Sequence, residues 1–271
     1  MATIKAASRP NYWNLVRTFA ARELKGRFKG SVLGWGWSLL NPLATLAVYA
    51  IIFGFFLKFT PPVAGNGTLQ NFAIYLFTGL VIWNFFYAVV TGSMSSLLGV
   101  GSLIKKIYFP PWTPILGATL ATMAQLGVEL GLLATIYIVV GNISWTVLLV
   151  PFLVALIAAF GLGLGLIVSI LNAKLRDVNY IVTVVLNLAF YSAPIIYPIA
   201  LVQEVYATNP WARIYEWNPL VQFVEGMKDL MYELTVPPLS SWLYMLLVSG
   251  LTLALGAWFF GKASRDIADE L

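Results

Sequence analysis

Long apolar stretches, broken by short charged or turn-forming segments, dominate the chain. No Asp, Glu, Lys or Arg occurs from Phe59 to Ile104 or from Leu130 to Ala173. Crossing the roughly 30 Å hydrocarbon core takes about 20 helical residues, so each stretch has room for two spans or parts of two. The apolar positions do not alternate with polar ones, as the strands of a membrane barrel would require. The pattern therefore predicts an all-α integral membrane protein.

Turn-forming residues divide these stretches into six predicted transmembrane helices. Breaks fall at Pro61-Pro62, at Gly141-Asn142 and at Pro237-Pro238. The predicted helices cover residues 37–57, 72–92, 115–140, 146–171, 178–196 and 239–260. The predicted domains are an N-terminal tail with an amphipathic helix over 1–36, a six-helix transmembrane domain over 37–260, and a C-terminal tail over 261–271.

Basic residues concentrate on one side of the predicted bundle. Six spans put both termini on the same side, which then holds every Lys and Arg except Lys58, Arg213 and Lys228. Segments between spans that are rich in Lys and Arg remain in the cytoplasm. We therefore expect a multi-pass protein with both termini cytoplasmic.

The segment before the first span predicts a helix of another kind. Tyr12, Leu15, Val16 and Phe19 share one helical face, and the opposite face is basic. A basic amphipathic helix beside a span lies at the membrane interface, and a solvated basic arm is the alternative. The basic residues near this surface are Arg22, Lys25, Arg27 and Lys29.

The segment between predicted helices 5 and 6 is not a simple loop. Pro194, Pro198, Pro210 and Pro219 break it into short pieces. Residues 220–231 are apolar but too few to cross the membrane. This pattern predicts an external re-entrant or interfacial segment, whose broken backbone needs shielding by protein or a polar cavity.

The composition excludes most catalytic chemistry. Only 10% of the residues are charged, against about 25% in a soluble domain, so the net charge of +5 does not indicate a nucleic-acid binder. The chain has no Cys and no His, which removes thiolate nucleophiles and the commonest general base and metal ligand. We predict no metal site and no enzyme activity in this chain.

Two sequence features bear on the energy source. Glu129 is predicted near the middle of a span, between Gly127 and Gly131; this favours an assembly role, with a pathway role or proton coupling as alternatives. Residues 256–262 spell G-x-x-x-x-G-K, but the next residue, Ala263, lacks the hydroxyl that binds magnesium, and the surroundings are apolar. We interpret this match as chance. If ATP drives the protein, a separate subunit binds the ATP and Mg.

Polar and aromatic side chains recur at three- and four-residue steps on predicted helices 1 and 5. That spacing places each set on one helical face, which indicates either a translocation path or helix packing with aromatic belts. Aromatic rings pack on the C–H faces of sugars, and a drug or lipid path could also be aromatic. The channel-lining candidates, with those of predicted helix 2, are Asn41, Thr45, Tyr49, Phe53, Trp83, Phe86, Tyr87, Tyr180, Thr183, Asn187 and Tyr191.

Four passages, in this order, resemble the membrane subunit of ABC-2 type polysaccharide exporters, the Wzm/TagG group. They are KGSVLGWGWSLLNPL (29–43), LIKKIYFPPWTP (103–114), KLRDVNYIVTVVLNLAFYSAPIIYP (174–198) and YEWNPLVQFVEGMKDLMY (215–232). The chain departs from the family pattern at Pro111-Trp112, where many relatives have a charged pair. That departure could alter how the loop docks.

The resemblance implies a homodimer in the bacterial inner membrane, with two copies of a separate ABC ATPase. It implies export of polyprenyl-pyrophosphate-linked polysaccharide, such as O-antigen, teichoic acid, capsule or another cell-wall glycan. Spans 1 and 5 would face each other across the dimer axis. The ATPase-coupling candidates would be Lys105, Lys106, Ile107 and Tyr108 in one loop, with Arg176 and Asp177 in the next.

Alternatives to this assignment remain open. The basic residues near 22–29 suit either a pyrophosphate or ordinary anionic lipid. Within transport, the alternative is an ABC-2 type exporter of drugs or small lipids. A lipid- or sugar-transferring membrane enzyme is disfavoured, because the clustered acids between 204 and 233 are predicted to face outward.

Overall fold

The structure is a computed structural model that describes residues 12–27, 29–58, 60–107, 109–175, 177–206 and 208–264. Within these ranges every regular element is helical, which confirms the predicted all-α class. The predicted tails at 1–11 and 265–271 lie outside the described residues. The helices are α1 (Tyr12–Arg27), α2 (Trp37–Tyr49), α3 (Phe72–Leu98), α4 (Gly101–Ile104), α5 (Trp112–Val139), α6 (Val150–Lys174), α7 (Val178–Tyr191), α8 (Ala200–Val205), α9 (Pro219–Lys228) and α10 (Leu239–Ala263).

Short segments of tighter or wider helix extend several of these elements. The 3₁₀ segments are Gly34–Gly36, Trp145–Leu149 and Pro210–Trp217. The π-helical segments are Ala50–Phe56, which continues α2, and Asp229–Glu233, which continues α9. π-helix is rare, and short π-helical segments occur frequently at functional sites.

Five helical stretches of the described chain are long and apolar enough to cross a membrane. They are Gly34–Phe56, Phe72–Leu98, Trp112–Val139, Trp145–Lys174 and Leu239–Ala263. These stretches support a multi-pass membrane protein.

The predicted fifth span is shorter than expected, because α7 ends at Tyr191 and not near residue 196. Its 14 residues cover about 21 Å of a core about 30 Å thick. Pro194 follows closely, and a proline disfavours helical backbone at the residue before it. The described chain thus has five long apolar helices and one shorter apolar helix where six full spans were predicted.

α3 is the central helix of the bundle. Most of its residues are buried, and it packs against α2, α5, α6, α7 and α9. The side chain of Asn71 caps its start by accepting hydrogen bonds from the backbone N–H groups of Ala73 (3.0 Å) and Ile74 (3.2 Å). The elements that flank α3 are therefore positioned by this one buried helix.

Glycines let α6 approach its neighbours closely. A Cβ atom on Gly163 would meet the backbone of Thr252 in α10, and one on Gly256 would meet the backbone of Gly163. On the other side of α6, a Cβ atom on Gly165 would meet the Ser93 side chain of α3. Small residues at such contacts are the usual means of close helix packing in membranes.

One end of the bundle, which we call the inner end, is the end predicted to be cytoplasmic. Here Leu97 of α3, Ile115 of α5, Ile170 of α6 and Phe260 of α10 form one apolar cluster. The ends of α3, α6 and α10 therefore meet the start of α5.

α1 docks against the start of α5 at this inner end. Val16 and Phe19 are buried, and the Phe19 ring lies 5.6 Å from the ring of Phe109. An added Cβ at Gly117 would lie 2.6 Å from the Phe19 Cβ, so glycine permits the close approach. The predicted amphipathic helix is confirmed as a helix, and its apolar face contacts protein.

Loops at the opposite end, the outer end, are held together by Asn142, which is 1% exposed. Its Nδ2 donates to the carbonyls of Met231 (3.1 Å) and Tyr232 (3.0 Å), and its Oδ1 accepts from the Asn66 N–H (3.0 Å). The Tyr232 hydroxyl in turn donates to the Pro62 carbonyl at 2.8 Å. Three chain segments distant in sequence thus share one hydrogen-bonded network.

Candidate translocation site

α7 presents a polar and aromatic face away from the rest of the protomer. Of its residues, all of which the structure describes, Leu186 alone is buried. Tyr180 is 73% exposed, Tyr191 is 67% exposed, and Asn187 is also exposed. These three residues lie on one face, since they are seven and four residues apart, and the half-buried Thr183 lies beside it. The face has the composition expected of a polar path and lacks a second wall within this protomer.

The predicted row on α2 is turned partly inward. Asn41 is exposed, while Thr45, Tyr49 and Phe53 are half-buried. The Tyr49 and Phe53 rings lie 6.0 Å apart, and the Phe53 ring lies 4.8 Å from that of Phe72. Both rings therefore pack toward the protomer core, while the outward surface of α2 is largely apolar.

Two of the channel-lining candidates on α3 lie inside the protomer. Trp83 is 5% exposed and Phe86 is 2% exposed. The Trp83 ring lies 5.5 Å from Phe190 of α7, and the Phe86 ring stacks on Phe160 of α6 at 5.4 Å. Because α3 is surrounded by other helices, these rings fill the core, and in this conformation they do not line an open surface. Tyr87, one residue further on, is half-buried.

A cavity of about 350 Å³ opens beside the π-helical end of α2. Lys58, just beyond this end, has a φ of +49°, a backbone conformation that is uncommon outside glycine. The outer part of α2 is therefore irregular beside this cavity. The residues that line the cavity are Ala50, Gly54, Lys58, Thr60, Gln70, Asn71 and Phe72.

α9 enters the bundle from the outer end. The Phe223 ring stacks on Phe160 at 5.7 Å. Phe160 lies ten residues into α6, which is about 15 Å along that helix. Leu220, Val224 and Met227 are also buried. α9 is thus a short apolar helix shielded by protein, which is the condition for a re-entrant segment.

Lys228, at the end of α9, has no exposed surface. Its Nζ donates to the Tyr75 hydroxyl of α3 (2.8 Å), to the carboxylate of Glu225 (3.2 Å) and to the carbonyl of Pro194. Burial lowers the pKa of Lys228, and the Glu225 carboxylate opposes that shift. Sequence reasoning placed Lys228 outside the membrane and assigned it no role. The available signal was a single Lys within an apolar segment, three residues after a Glu.

The four predicted interfacial basic residues, which lie in the second half of α1 and just after it, divide into two groups. Arg22, Lys25 and Lys29 are exposed, as the amphipathic pattern predicts. Arg27 instead donates to the Thr122 hydroxyl of α5 at 3.0 Å and pairs with Glu23 at 3.7 Å. Arg27 therefore contributes to the docking of α1.

Glu129 borders a cavity of about 150 Å³ between α3 and α5. Its Oε1 accepts from Nε2 of Gln125 at 3.3 Å, and the same nitrogen approaches the Ser38 carbonyl of α2 at 3.2 Å. Glu129 thus belongs to a hydrogen-bonded contact between helices. Among the residues that the structure describes, no group of three or more His, Cys, Asp or Glu could hold a metal ion.

Comparison with known families matches residues 14–232 to the ABC-2 type transporter family. The chain belongs to the ABC-2 type transporter family. This confirms the family resemblance read from its four passages. An O-antigen export system permease protein RfbA of Myxococcus xanthus is 26% identical over 261 residues, covering 96% of each chain.

Two further relatives of this ABC-2 type chain carry similar names. An O-antigen export system permease protein RfbA of Klebsiella pneumoniae is 28% identical, covering 96% of this chain and 95% of the relative. The polysialic acid transport protein KpsM of Escherichia coli is 24% identical, covering 79% of this chain and 80% of the relative.

Four of the coupling candidates of this ABC-2 type chain lie at the inner end. Lys105, Lys106 and Ile107 follow α4 and are exposed, and Asp177 is exposed before the start of α7. Tyr108 and Arg176 lie outside the described residues. The next loop residue, Phe109, is buried against Phe19 of α1. A displacement of this loop would therefore act directly on the N-terminal helix.

Proposed function

We propose that this chain is the membrane permease of an ATP-driven exporter that carries lipid-linked polysaccharide out of the bacterial cytoplasm. Similarity to O-antigen export permeases over nearly the whole of both chains carries this proposal. The substrate is a glycan on a polyprenyl-pyrophosphate carrier, which enters from the cytoplasmic leaflet. The chain itself performs no catalytic step.

A second copy of the chain supplies the missing wall of the conduit. The α7 face is polar and aromatic, and α7 has few contacts with its own protomer. An amide such as Asn187 would go unpaired in lipid at a cost of several kcal/mol, so its face should meet protein or a polar path. A homodimer that joins two such faces satisfies this requirement, with Tyr180, Asn187 and Tyr191 toward the path.

The membrane topology follows from the same arrangement. α7, together with the irregular segment after it, forms the fifth of six crossings, and α9 with its π-helical extension forms the external re-entrant segment. Both termini are then in the cytoplasm, at the basic inner end. Two ATPase subunits bind ATP and Mg there, and they dock on the loop at 105–108 and on the loop at 176–177.

The exposed basic face of α1 suits the carrier pyrophosphate. Arg22 and Lys25 are exposed at the level of the inner end, and Arg22 lines a cavity together with Pro114 and Ala118 of α5. Phosphate groups attract such residues in the headgroup region, whether they belong to the carrier or to ordinary lipid.

Reconstitution tests this function. The chain is co-purified with the ABC ATPase encoded beside it, placed in vesicles, and given candidate lipid-linked glycans, drugs and lipids. We expect glycan export that requires ATP. Transport without any ATPase, or export of drugs or lipids alone, would contradict the proposal.

Site-specific labelling tests the path in the same vesicles. Because the chain has no Cys, Tyr191→Cys introduces a single thiol on the α7 face. We expect bound lipid-linked glycan to protect this thiol from a polar maleimide. Leu251→Cys, on the exposed surface of α10, is the control whose labelling should not change. Equal labelling of Tyr191→Cys with and without glycan would remove α7 from the path.

A further inference from the structure

The outer end of α7 is attached to the external segment by polar contacts. Asn218 at the start of α9 donates from Nδ2 to the Ser192 carbonyl and hydroxyl, each at 3.1 Å. The Tyr197 hydroxyl donates to the Tyr191 carbonyl and shares a hydrogen bond with the Tyr215 hydroxyl, both at 2.9 Å. The segment 191–197 is therefore bonded to residues 215–218. We call these two segments, with Lys228, the outer joint.

Within the outer joint, Lys228 is the residue that contacts the central helix α3. Its ammonium group binds the Pro194 carbonyl from the α7 side and the Tyr75 hydroxyl from α3. The Nζ atom also lies 4.0 Å from the centroid of the Tyr75 ring, a cation–π distance. Gly79 of α3 leaves space for the lysine stem, since an added Cβ would lie 3.3 Å from the Lys228 Cε. Lys228 thus stands where α3, α9 and the end of α7 converge.

Burying the ammonium group of Lys228 costs desolvation free energy. A fully buried ammonium group is tolerated only when acceptors surround it. An apolar residue of similar volume would often be neutral for stability at such a position. A lysine is therefore not the simplest way to fill the space, but it can hold a backbone carbonyl, a hydroxyl and a carboxylate simultaneously.

The body of α7 contrasts with its outer end. Every residue of α7 is described, and Leu186 is the one that is buried. Just beyond the end of the helix, Ala193 and Ile195 are 0% exposed. Its inner end follows directly on the loop that contains Asp177. The helix is therefore loosely packed along its length and firmly attached at the outer end.

We propose that Lys228 is a positioning residue that fixes the outer end of α7 to the external segment and to α3, so that α7 moves about this end during export. This inference rests on the proposed export function and assigns a residue within it. The outer joint stays closed through the transport cycle, and movement reaches α7 from its inner end.

The first test removes the charge and keeps the volume. The variant Lys228→Met with Glu225→Gln deletes the hydrogen bonds without leaving a carboxylate unpaired. We expect the glycan exported per ATP hydrolysed to fall by about tenfold, while ATP hydrolysis by the purified complex continues. Glu204→Gln is the control: it makes the same acid-to-amide change at an exposed position of α8, so export should stay within about twofold of the unmodified protein.

The second test replaces the lost attachment with a covalent one. Ser192→Cys and Asn218→Cys are introduced and joined by a short bifunctional thiol reagent. We expect the cross-linked protein to keep exporting, and we expect cross-linking to restore export in the Lys228→Met, Glu225→Gln background to within about threefold of the unmodified protein. Leu251→Cys with Leu255→Cys, one turn apart on exposed α10, controls for the reagent.

Each outcome decides the proposal. Normal coupling in the lysine variant, arrest of export by the Ser192–Asn218 cross-link, or failure of the cross-link to restore export would each overturn it. If the lysine variant does not assemble, the proposal is tested with Asn218→Ala and with the cross-linked protein. For Asn218→Ala we expect the glycan exported per ATP hydrolysed to fall by about threefold. Export by the unmodified complex in the same vesicles tests the proposed function separately, so the two failures are distinguishable.

Discussion

Individual buried polar residues hold this protein together at points where apolar packing alone would not select a partner. Asn142 joins three outer segments, and Lys228 joins α3 to α9 and to the end of α7. The sequence showed Asn142 only as a turn residue after an apolar stretch. Which side-chain amide is buried depends on segments about 90 positions away, and a single sequence does not reveal such pairings.

Asp229 is a residue whose protonation affects stability. It lies beyond α9, outside the long apolar helices, near Glu225 and Glu233. Burial, followed by the negative charges of Glu233 and Glu225, raises its pKa to about 7 from an ordinary value of 3.8. Between these two values the folded protein binds more protons than the unfolded protein does. The free energy of unfolding therefore falls as the pH rises through this window.

We predict that Asp229→Asn weakens this pH dependence. As the pH rises from about 4 to about 7, the melting temperature of the unmodified protein should fall. The melting temperature of the variant should fall less, because the titrating carboxyl is gone. The measurement is thermal unfolding in detergent across this range. Asp177→Asn, at an exposed position, is the control and should follow the unmodified curve. Identical slopes for all three proteins would contradict the assignment.

The helices were predictable to different degrees. The long apolar helices followed from hydropathy, because a lipid-facing or buried span must be apolar whatever its neighbours are. The length of α7 did not follow, and the sequence left open whether residues 220–231 are re-entrant or interfacial, since both depend on tertiary contacts. Periodicity placed Tyr180, Asn187 and Tyr191 on one face of α7. It could not show that Trp83 and Phe86 face protein, because a helical stripe does not identify what covers it.

The contact between α6 and α10 gives a prediction for these elements. We expect Gly256→Ala to destabilise the protein by about 1 to 3 kcal/mol, because its Cβ would meet the backbone of Gly163, which cannot turn aside. Gly163→Ala should act similarly through Thr252. The measurement is unfolding in mixed detergent. Gly250→Ala, in α10 with open space around it, should change stability by less than about 1 kcal/mol.

Equal stability of Gly250→Ala and Gly256→Ala would show that α6 and α10 do not approach as closely as described. The same contact accounts for one sequence feature. Gly256 begins the phosphate-loop-like stretch at 256–262, and its place against Gly163 is a packing role. The interpretation of that match as chance is consistent with this role.

At the scale of the whole molecule, the inner and outer ends have different characters. The inner end carries exposed cations on α1 and after α4, whereas the outer end is closed by hydrogen bonds among loops. α1 and the loop after α4 share the cluster of Phe19, Val100 and Phe109. A force on the exposed loop therefore has a short route to the N-terminal helix.

We predict that Lys105→Glu with Lys106→Glu uncouples the assembled exporter. Both side chains are exposed, so the bundle should remain folded, while the reversed charge should disturb docking of the ATPase. In vesicles containing both subunits, glycan export should fall by about tenfold or more while the permease keeps its melting temperature. Lys262→Glu, at an exposed position near the end of α10, is the control and reverses one positive charge away from this loop. Unchanged export in the double variant would place the docking surface elsewhere.

The network around Asn142 has a consequence for how the protein is made. Its amide reaches the carbonyl of Tyr232, 90 residues later in the chain. At ribosomal speeds of about 5 to 20 residues per second, roughly 5 to 20 s pass between the synthesis of Asn142 and that of Tyr232. Throughout that interval the Asn142 amide lacks the Met231 and Tyr232 carbonyls that accept its hydrogen bonds in the folded protein. A nascent chain that stalls before residue 232 would therefore present an unfinished surface, which is a point where cellular quality control could recognise it.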